Sequence, residues 1–199
     1  MAGKFLWRLS HGCASDVGRV VTVGAQGGRG RTVRNVDLRD LNDAPADAFV
    51  EALGGIFEHS PWVARAVADQ RPFATIDALH AAMVEAVRDA GEVAHLELIR
   101  AHPDLGTRLK LSDSSTAEQA SAGLDQLSPD EFERFTALND RYRERFGFPF
   151  IIAVRDNTRA QILEAFVRRI GNDREAEVST ALTQIARIAR IRLDQAIAQ

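Results

Sequence analysis

The strongest constraint on the fold of this chain is a series of helix-start signals that recurs from residue 34 onward. A helix begins favourably where Ser, Thr, Asp or Asn caps its first N–H groups and where Pro occupies its first turn. Signals of this kind occur at Ser60-Pro61, at Thr75 and at Ser128-Pro129-Asp130-Glu131. Two further helix starts are predicted at Asn42-Asp43-Ala44-Pro45 and at Ser115-Thr116-Ala117-Glu118.

Between these signals, apolar residues repeat at helical spacing, which predicts helices that share one core. Residues 158–170 and 173–195 are predicted to be the two last helices, and the buried stripe of the second consists of Val178, Leu182, Ile185, Ile188 and Ala189. The single β-like run, residues 146–154, contains Gly147 and Pro149, so we predict an extended segment without a partner strand. The sequence therefore predicts an all-α fold with a single compact multi-helix domain.

The first 33 residues differ in character from the rest of the chain. They carry five basic residues against Asp16 alone, and residues 24–31 are rich in Gly without helical periodicity. We predict a flexible basic tail over residues 1–33 and one helical domain over residues 34–199, because 199 residues suffice for one well-packed domain. A start codon assigned too early would also account for such a segment.

Composition argues against several classes of protein. The net charge of −3 gives no support for a nucleic-acid partner, and no apolar run is long enough to predict a membrane span. The chain has one cysteine, Cys13, which excludes an intrachain disulfide and is typical of a reducing compartment. We therefore expect a cytoplasmic protein.

Most common types of catalytic site are also disfavoured. The histidines at 59, 80, 95 and 102 lack the His-Glu-x-x-His spacing of a zinc site, and no dinucleotide fingerprint is present. We therefore expect no metal and no cofactor. An enzyme with this sequence would work with histidine, carboxylates and arginines.

Three segments supply such groups, and each has an alternative structural interpretation. Pro103 ends a helix and fixes His102 at a corner, where the imidazole either faces a cavity or merely marks a helix stop. Ser115 and Glu118 are spaced as a capping box. Arg155 follows an apolar run, either as a surface residue or as a clamp for a carboxylate or ureido group. Arginines 187, 190 and 192 are expected to be solvated or to face a dimer partner.

Five ordered motifs over residues 36–195 resemble the 2-oxo-4-hydroxy-4-carboxy-5-ureidoimidazoline (OHCU) decarboxylases. The motifs are Phe57-Glu58-His59-Ser60-Pro61-Trp62-Val63-Ala64, His102-Pro103-Asp104-Leu105-Gly106, Ser115-x-x-Glu118-Gln119-Ala120-Ser121-Ala122-Gly123-Leu124, Leu138-Asn139-Asp140-x-Tyr142-x-x-x-Phe146-Gly147-Phe148-Pro149-Phe150-Ile151 and Glu164…Arg169-x-x-Asn172-Asp173-x-Glu175-x-Glu177.

The resemblance implies an all-α, cofactor-free and typically dimeric enzyme of urate breakdown that removes CO2 from OHCU to give (S)-allantoin. It implies that His102 is the catalytic histidine and Glu118 its acidic partner. It also implies a set of substrate-binding residues, namely Pro103, Ser115, Gln119, Phe150, Ile152 and Arg155. We accordingly expect a homodimer that acts on a small molecule.

Two other functions remain open at this point. A relative with the same fold could act on another ureido or hydroxy-acid substrate, or the chain could be a non-catalytic helical interaction module. The joint presence of His102, Glu118 and Arg155 favours an enzyme, because a helical scaffold needs none of the three.

Overall fold

The computed structural model describes residues 36–107 and 111–198, and this part of the chain is mostly helical. Its nine α-helices are Leu38–Asp43 (α1), Ala46–Leu53 (α2), Pro61–Val67 (α3), Ile76–Asp89 (α4), Gly91–Arg100 (α5), Asp113–Ser121 (α6), Pro129–Phe146 (α7), Arg159–Arg169 (α8) and Arg174–Ala196 (α9). Short 3₁₀ turns lie at Ala68–Gln70 and Val154–Asp156. The predicted all-α fold is confirmed. The predicted tail, residues 1–33, lies outside the described residues.

Several helix starts lie where the sequence predicts them. Pro61 and Pro129 each occupy the first turn of a helix, α3 and α7. The Thr75 hydroxyl accepts the N–H of Ala78 at the start of α4. Ser128 and Glu131 form a reciprocal capping box at α7, in which each side chain bonds the backbone N–H of the other residue.

The signal at residues 42–45 has a different role from the predicted one. α2 begins at Ala46, after Pro45, with no side-chain cap. The amide of Asn42 instead bonds both backbone groups of Phe73, accepting from its N–H at 2.8 Å and donating to its carbonyl at 2.9 Å. Asn42 therefore ties the first helix to a distant loop.

One short strand pair was not predicted. Val36–Asp37 (β1) pairs in parallel with Ile197–Ala198 (β2), with Val36 opposite Ile197. The pair brings the two ends of the described fold together.

An aromatic cluster forms the part of the core next to the candidate site. Tyr142 packs edge-on against Phe150 and Phe166, and the rings of Phe150 and Phe166 stack with centroids 3.7 Å apart. Phe150 belongs to residues 147–153, which form neither helix nor strand. Of the predicted extended run, residues 146–154, only the two ends differ: Phe146 belongs to α7 and Val154 to the 3₁₀ turn. None of the described helices has the length and hydropathy needed to cross a membrane.

Candidate active site

The imidazole of His102 is buried at the broken end of α5. Ala101 caps the helix, and Pro103 prevents its continuation. His102 Nδ1 lies 2.9 Å from the carbonyl oxygen of Leu98. A carbonyl can only accept a hydrogen bond, so Nδ1 carries the proton and Nε2 keeps a free lone pair. In the described part of the chain, His102 Nε2 is one of only two buried side-chain polar atoms without a hydrogen-bond partner.

His102 is neutral at physiological pH. Burial lowers the pKa of the imidazole to about 4, although the bond to Leu98 and the negative charge of Glu58 act to raise it. A neutral imidazole with a free lone pair can accept a proton, which is what a general base requires.

The start of α6 differs from the predicted one and explains how two further side chains face inward. The N-cap is Ser112, whose hydroxyl accepts the N–H of Ser115, and the helix begins at Asp113. The predicted capping box of Ser115 and Glu118 is therefore wrong. With Ser112 as the cap, Ser115 and Glu118 lie within the helix, and both side chains are buried.

Arg192 from α9 binds two carboxylates inside the protein. Its Nε and Nη2 donate to the two oxygens of Glu118 at 2.7 and 2.9 Å, which is a bidentate pair. Its Nη2 also lies 2.8 Å from Oε2 of Glu58. Burial acts to lower the pKa of Arg192, but bonds to Glu118 and the charges of both carboxylates raise it above its ordinary value.

Glu58 lies in the loop between α2 and α3 and is almost fully buried. Burial acts to raise the pKa of its carboxyl, but a hydrogen bond from Ser112, the charge of Arg192 and a hydrogen bond from Ser115 outweigh burial and hold it below 4.5. The Ser115 hydroxyl donates to Glu58 at 2.9 Å. Because His102 is neutral, the buried charges here are the Arg192 guanidinium and the carboxylates of Glu58 and Glu118.

The side chains of His102, Ser115, Glu118 and Arg192 border one cavity, and Glu58 lies outside its lining. The lining residues of the cavity are His102, Pro103, Leu105, Ser115, Glu118, Gln119, Phe150, Ile151, Ile152, Val154, Ile188 and Arg192. The lining is polar where α5, α6 and α9 meet and apolar along the extended segment. Such a surface suits a small, flat, polar ring.

Seven of the eight side chains predicted for the site line this cavity, and Arg155 does not. Arg155 lies in the 3₁₀ turn Val154–Asp156, where it is exposed. The guanidinium at the cavity belongs to Arg192, which had been expected to be solvated or to face a dimer partner. That expectation is wrong, because Arg192 is only 5% exposed.

Gln119 borders the cavity and also shapes the turn after His102. Its Oε1 accepts the N–H of Gly106 at 2.8 Å, and its Nε2 donates to the carbonyl of Asp104 at 3.1 Å. Gly106 has a φ of +67°, and a Cβ at this position would lie 2.8 Å from the side chain of Leu127. The turn therefore requires glycine, and Gln119 holds it against α6.

Two residues of the cluster were missed by sequence reasoning. Arg192 follows Ile185 and Ile188 at the spacing of the buried stripe of α9, so the helical period itself indicates that it faces inward. Glu58 has no such periodic signal, although it belongs to the first of the quoted motifs. Within residues 36–107 and 111–198, no group of three or more His, Cys, Asp or Glu side chains could hold a metal ion.

Comparison with known proteins decides the family. The family model described as OHCU decarboxylase matches residues 42–194. This chain belongs to the OHCU decarboxylase family. Among family members, the OHCU decarboxylase of Halalkalicoccus jeotgali is 48% identical over 158 residues, which cover 79% of this chain and 90% of that protein. That of Haloferax volcanii is 47% identical over 81% of this chain and 96% of its own length.

Solved structures of the family share the fold. A crystal structure of (S)-allantoin synthase superposes with a TM-score of 0.68 at 36% identity, covering 82% of this chain and 54% of the other. This chain thus spans about half the length of that protein. A crystal structure of an OHCU decarboxylase in the presence of (S)-allantoin gives a TM-score of 0.59 at 23% identity, over 75% of this chain and 96% of the other.

Proposed function

We propose that this chain removes CO2 from OHCU and yields (S)-allantoin, as a step of urate breakdown, without a cofactor. The observation that carries the proposal is the free lone pair of His102 Nε2 at a cavity that Glu118 and Arg192 also line. Membership of the OHCU decarboxylase family supports the choice of substrate.

The substrate can accept the electrons released by its own decarboxylation. Its name places a carboxylate and a hydroxyl on one ring carbon and a ureido group on the next, which also carries a C=N bond. When the bond to the carboxylate breaks, its electron pair forms a C=C bond between these two carbons, and the C=N pair moves to nitrogen. No external electron sink is needed.

His102 supports this step as a base. Its Nε2 takes the hydroxyl proton while CO2 leaves, which gives an enolate with a C=C bond between the two ring carbons. A proton then adds to the ureido-bearing carbon, and the enolate oxygen becomes a carbonyl as the C=C pair forms the new C–H bond. The ring nitrogen that received the C=N pair takes up a second proton; His102 returns one of the two protons and water supplies the other. General bases of this kind contribute about 10²–10⁴-fold to the rate. Delivery of the proton to carbon from a fixed group, on one face of the ring, sets the (S) configuration.

The other lining residues hold the ring in place. We assign Arg192 the role of holding Glu118 at the cavity, because its Nε and Nη2 donate to both oxygens of that carboxylate and its Nη1 bonds the backbone carbonyls of Gly55 and Ile56. Glu118 is the acidic partner, Ser115 and Gln119 bind polar atoms, and Pro103, Phe150 and Ile152 pack on the ring. The substrate role of Arg155 remains a prediction from the resemblance.

A homodimer and a cytoplasmic location are also part of the proposal. The family resemblance supports the dimer, and the single cysteine supports a reducing compartment. Light scattering during size-exclusion chromatography should give twice the mass of one chain. A mass equal to one chain would rule out a stable dimer.

The activity can be tested on freshly made substrate. Urate is converted by uricase and hydroxyisourate hydrolase to OHCU, whose spontaneous decay is followed by ultraviolet absorbance and circular dichroism. Added protein should accelerate the decay and produce the dichroic signal of (S)-allantoin. Decay at the spontaneous rate would overturn the proposal and favour the interaction-module alternative.

A further inference from the structure

A second buried charge cluster lies behind the cavity and takes no part in the proposed reaction. Glu177 of α9 is fully buried and accepts hydrogen bonds from three side chains. The Tyr142 hydroxyl and both Nε and Nη2 of Arg169 donate to its Oε1, and Asn172 donates to its Oε2 at 2.7 Å. None of the four residues lines the site cavity.

Arg169 connects this cluster to the wall of the cavity. Its Nη1 donates to the backbone carbonyl of Ile151 at 2.7 Å, while Nε lies 2.8 Å from Glu177. The face of the same guanidinium lies over the ring of Phe150, with its central carbon 4.3 Å from the ring centroid. One planar group thus contacts Glu177, the cavity-wall backbone and a cavity-wall ring.

The wall needs such support because it has no regular structure of its own. Residues 147–153 form no helix or strand, so their backbone polar groups must find partners elsewhere. Three apolar lining residues, Phe150, Ile151 and Ile152, come from this segment, and Val154 follows it directly. Besides Arg169, the Gln184 side chain supports the segment, accepting the N–H of Ala153 at 2.9 Å.

We infer that Arg169, held by Glu177, is a positioning residue that fixes the Phe150–Ile152 wall against which the substrate ring lies. This inference rests on the proposed function. A buried ion pair is weak evidence for stability, since apolar pairs of similar volume often serve equally well. The bond from Arg169 to Ile151 and its stacking on Phe150 are what an apolar pair cannot reproduce.

The variant R169K tests the inference. Lysine keeps the charge beside Glu177, but a single ammonium cannot bond Glu177 in a fork, bond the Ile151 carbonyl and stack on Phe150 at once. We expect a folded protein with kcat lowered about 10- to 100-fold, because a wall displaced by about 1 Å misorients the reacting groups. We also expect a lower enantiomeric excess of allantoin, after correction for uncatalysed decay.

The matched control is R159K. Arg159 likewise bonds a carboxylate and a backbone carbonyl, Glu131 at 2.7 Å and Gly123 at 2.8 Å, but it does not line the cavity. We expect R159K to retain wild-type kcat and enantiomeric excess. Enantiomeric excess compares the amounts of the two allantoin enantiomers that the enzyme forms, so a loss of folded protein alone does not change it.

A double variant, R169M with E177L, covers the case in which a single change unfolds the protein. It removes both buried charges together, so neither is left uncompensated, and it also removes the donor to Ile151. We expect the same loss of kcat and enantiomeric excess, with cooperative thermal unfolding retained.

The outcomes separate this inference from the proposed function. An active wild type whose R169K and double variants keep kcat and enantiomeric excess within twofold overturns the inference alone. A wild-type chain that leaves OHCU decay unchanged overturns the proposed function and this inference with it.

Discussion

His102 is neutral because its ring is buried, and it has a defined tautomer because Nδ1 donates to Leu98. Its free Nε2 costs stability, since a buried acceptor without a partner loses its bonds to water. A purely structural histidine gains nothing from an unpaired nitrogen, whereas a general base needs one to accept a proton. The substrate hydroxyl is the donor that the proposed reaction would supply.

Replacing His102 by Asn should lower kcat/KM about 10²–10⁴-fold, because Asn cannot accept the hydroxyl proton. The midpoint of thermal unfolding should stay near that of the wild type. The matched control is His80→Asn, since His80 Nε2 also bonds a helix carbonyl, Ala186 at 2.8 Å, outside the cavity. Full activity in His102→Asn would remove His102 from the mechanism.

The lowered pKa of His102 also predicts how stability depends on pH. Between pH 6.5 and about 4 the unfolded chain binds a proton at His102 that the folded chain does not, so the free energy of unfolding falls as the pH falls. The full difference between the two pKa values corresponds to about 3 kcal/mol.

Urea unfolding of wild type and His102→Asn at pH 7 and pH 4.5 measures this contribution. The wild type should lose more stability than the variant between these two values. Both proteins keep Glu58, whose lowered pKa makes its own contribution disappear only as the pH falls below 4.5. Equal losses in the two proteins would show that His102 titrates normally in the fold.

Among the helices, α6 has the start that matters most for the site. Ser112→Ala removes its cap and should lower the free energy of unfolding by about 1 kcal/mol. Activity should fall as well, because the first turn of α6 places Ser115, and Ser112 also hydrogen-bonds Glu58.

Ser128→Ala is the comparison for this change. It removes a real capping box at α7, outside the cavity, and should cost similar stability without loss of activity. Measuring urea unfolding and turnover on both variants distinguishes the loss of stability caused by a missing helix cap from a loss of activity caused by a displaced site residue. Equal activity in the two variants would show that the start of α6 does not position the catalytic groups.

The starts of α4 and α7 could be predicted from the sequence because a cap and an apolar period agree there, and the bounds of α8 and α9 lie within one residue of the predicted ones. The start of α6 could not, because Ser115 and Glu118 imitate a capping box while Ser112 forms the real cap. Arg192 was predicted to be solvated because its partner Glu118 lies 74 residues away in the chain, so no local pattern shows that the two side chains pair. Only the folded chain shows that they meet.

At the level of the whole molecule, the family model matches residues 42–194, and the core and cavity described between residues 36 and 198 fall in the same region. A chain that starts at residue 34 should therefore keep the thermal midpoint and the decarboxylase activity of the full chain. Calorimetry and the OHCU decay assay on both proteins check this prediction. A lower midpoint or slower turnover would show that residues 1–33 contribute to the domain.

The pairing of Val36 with Ile197 has a consequence for how such a domain can be joined to others. Neighbouring ends allow a globular unit to be inserted within a loop of a host protein, or circularly permuted, without stretching the linkers.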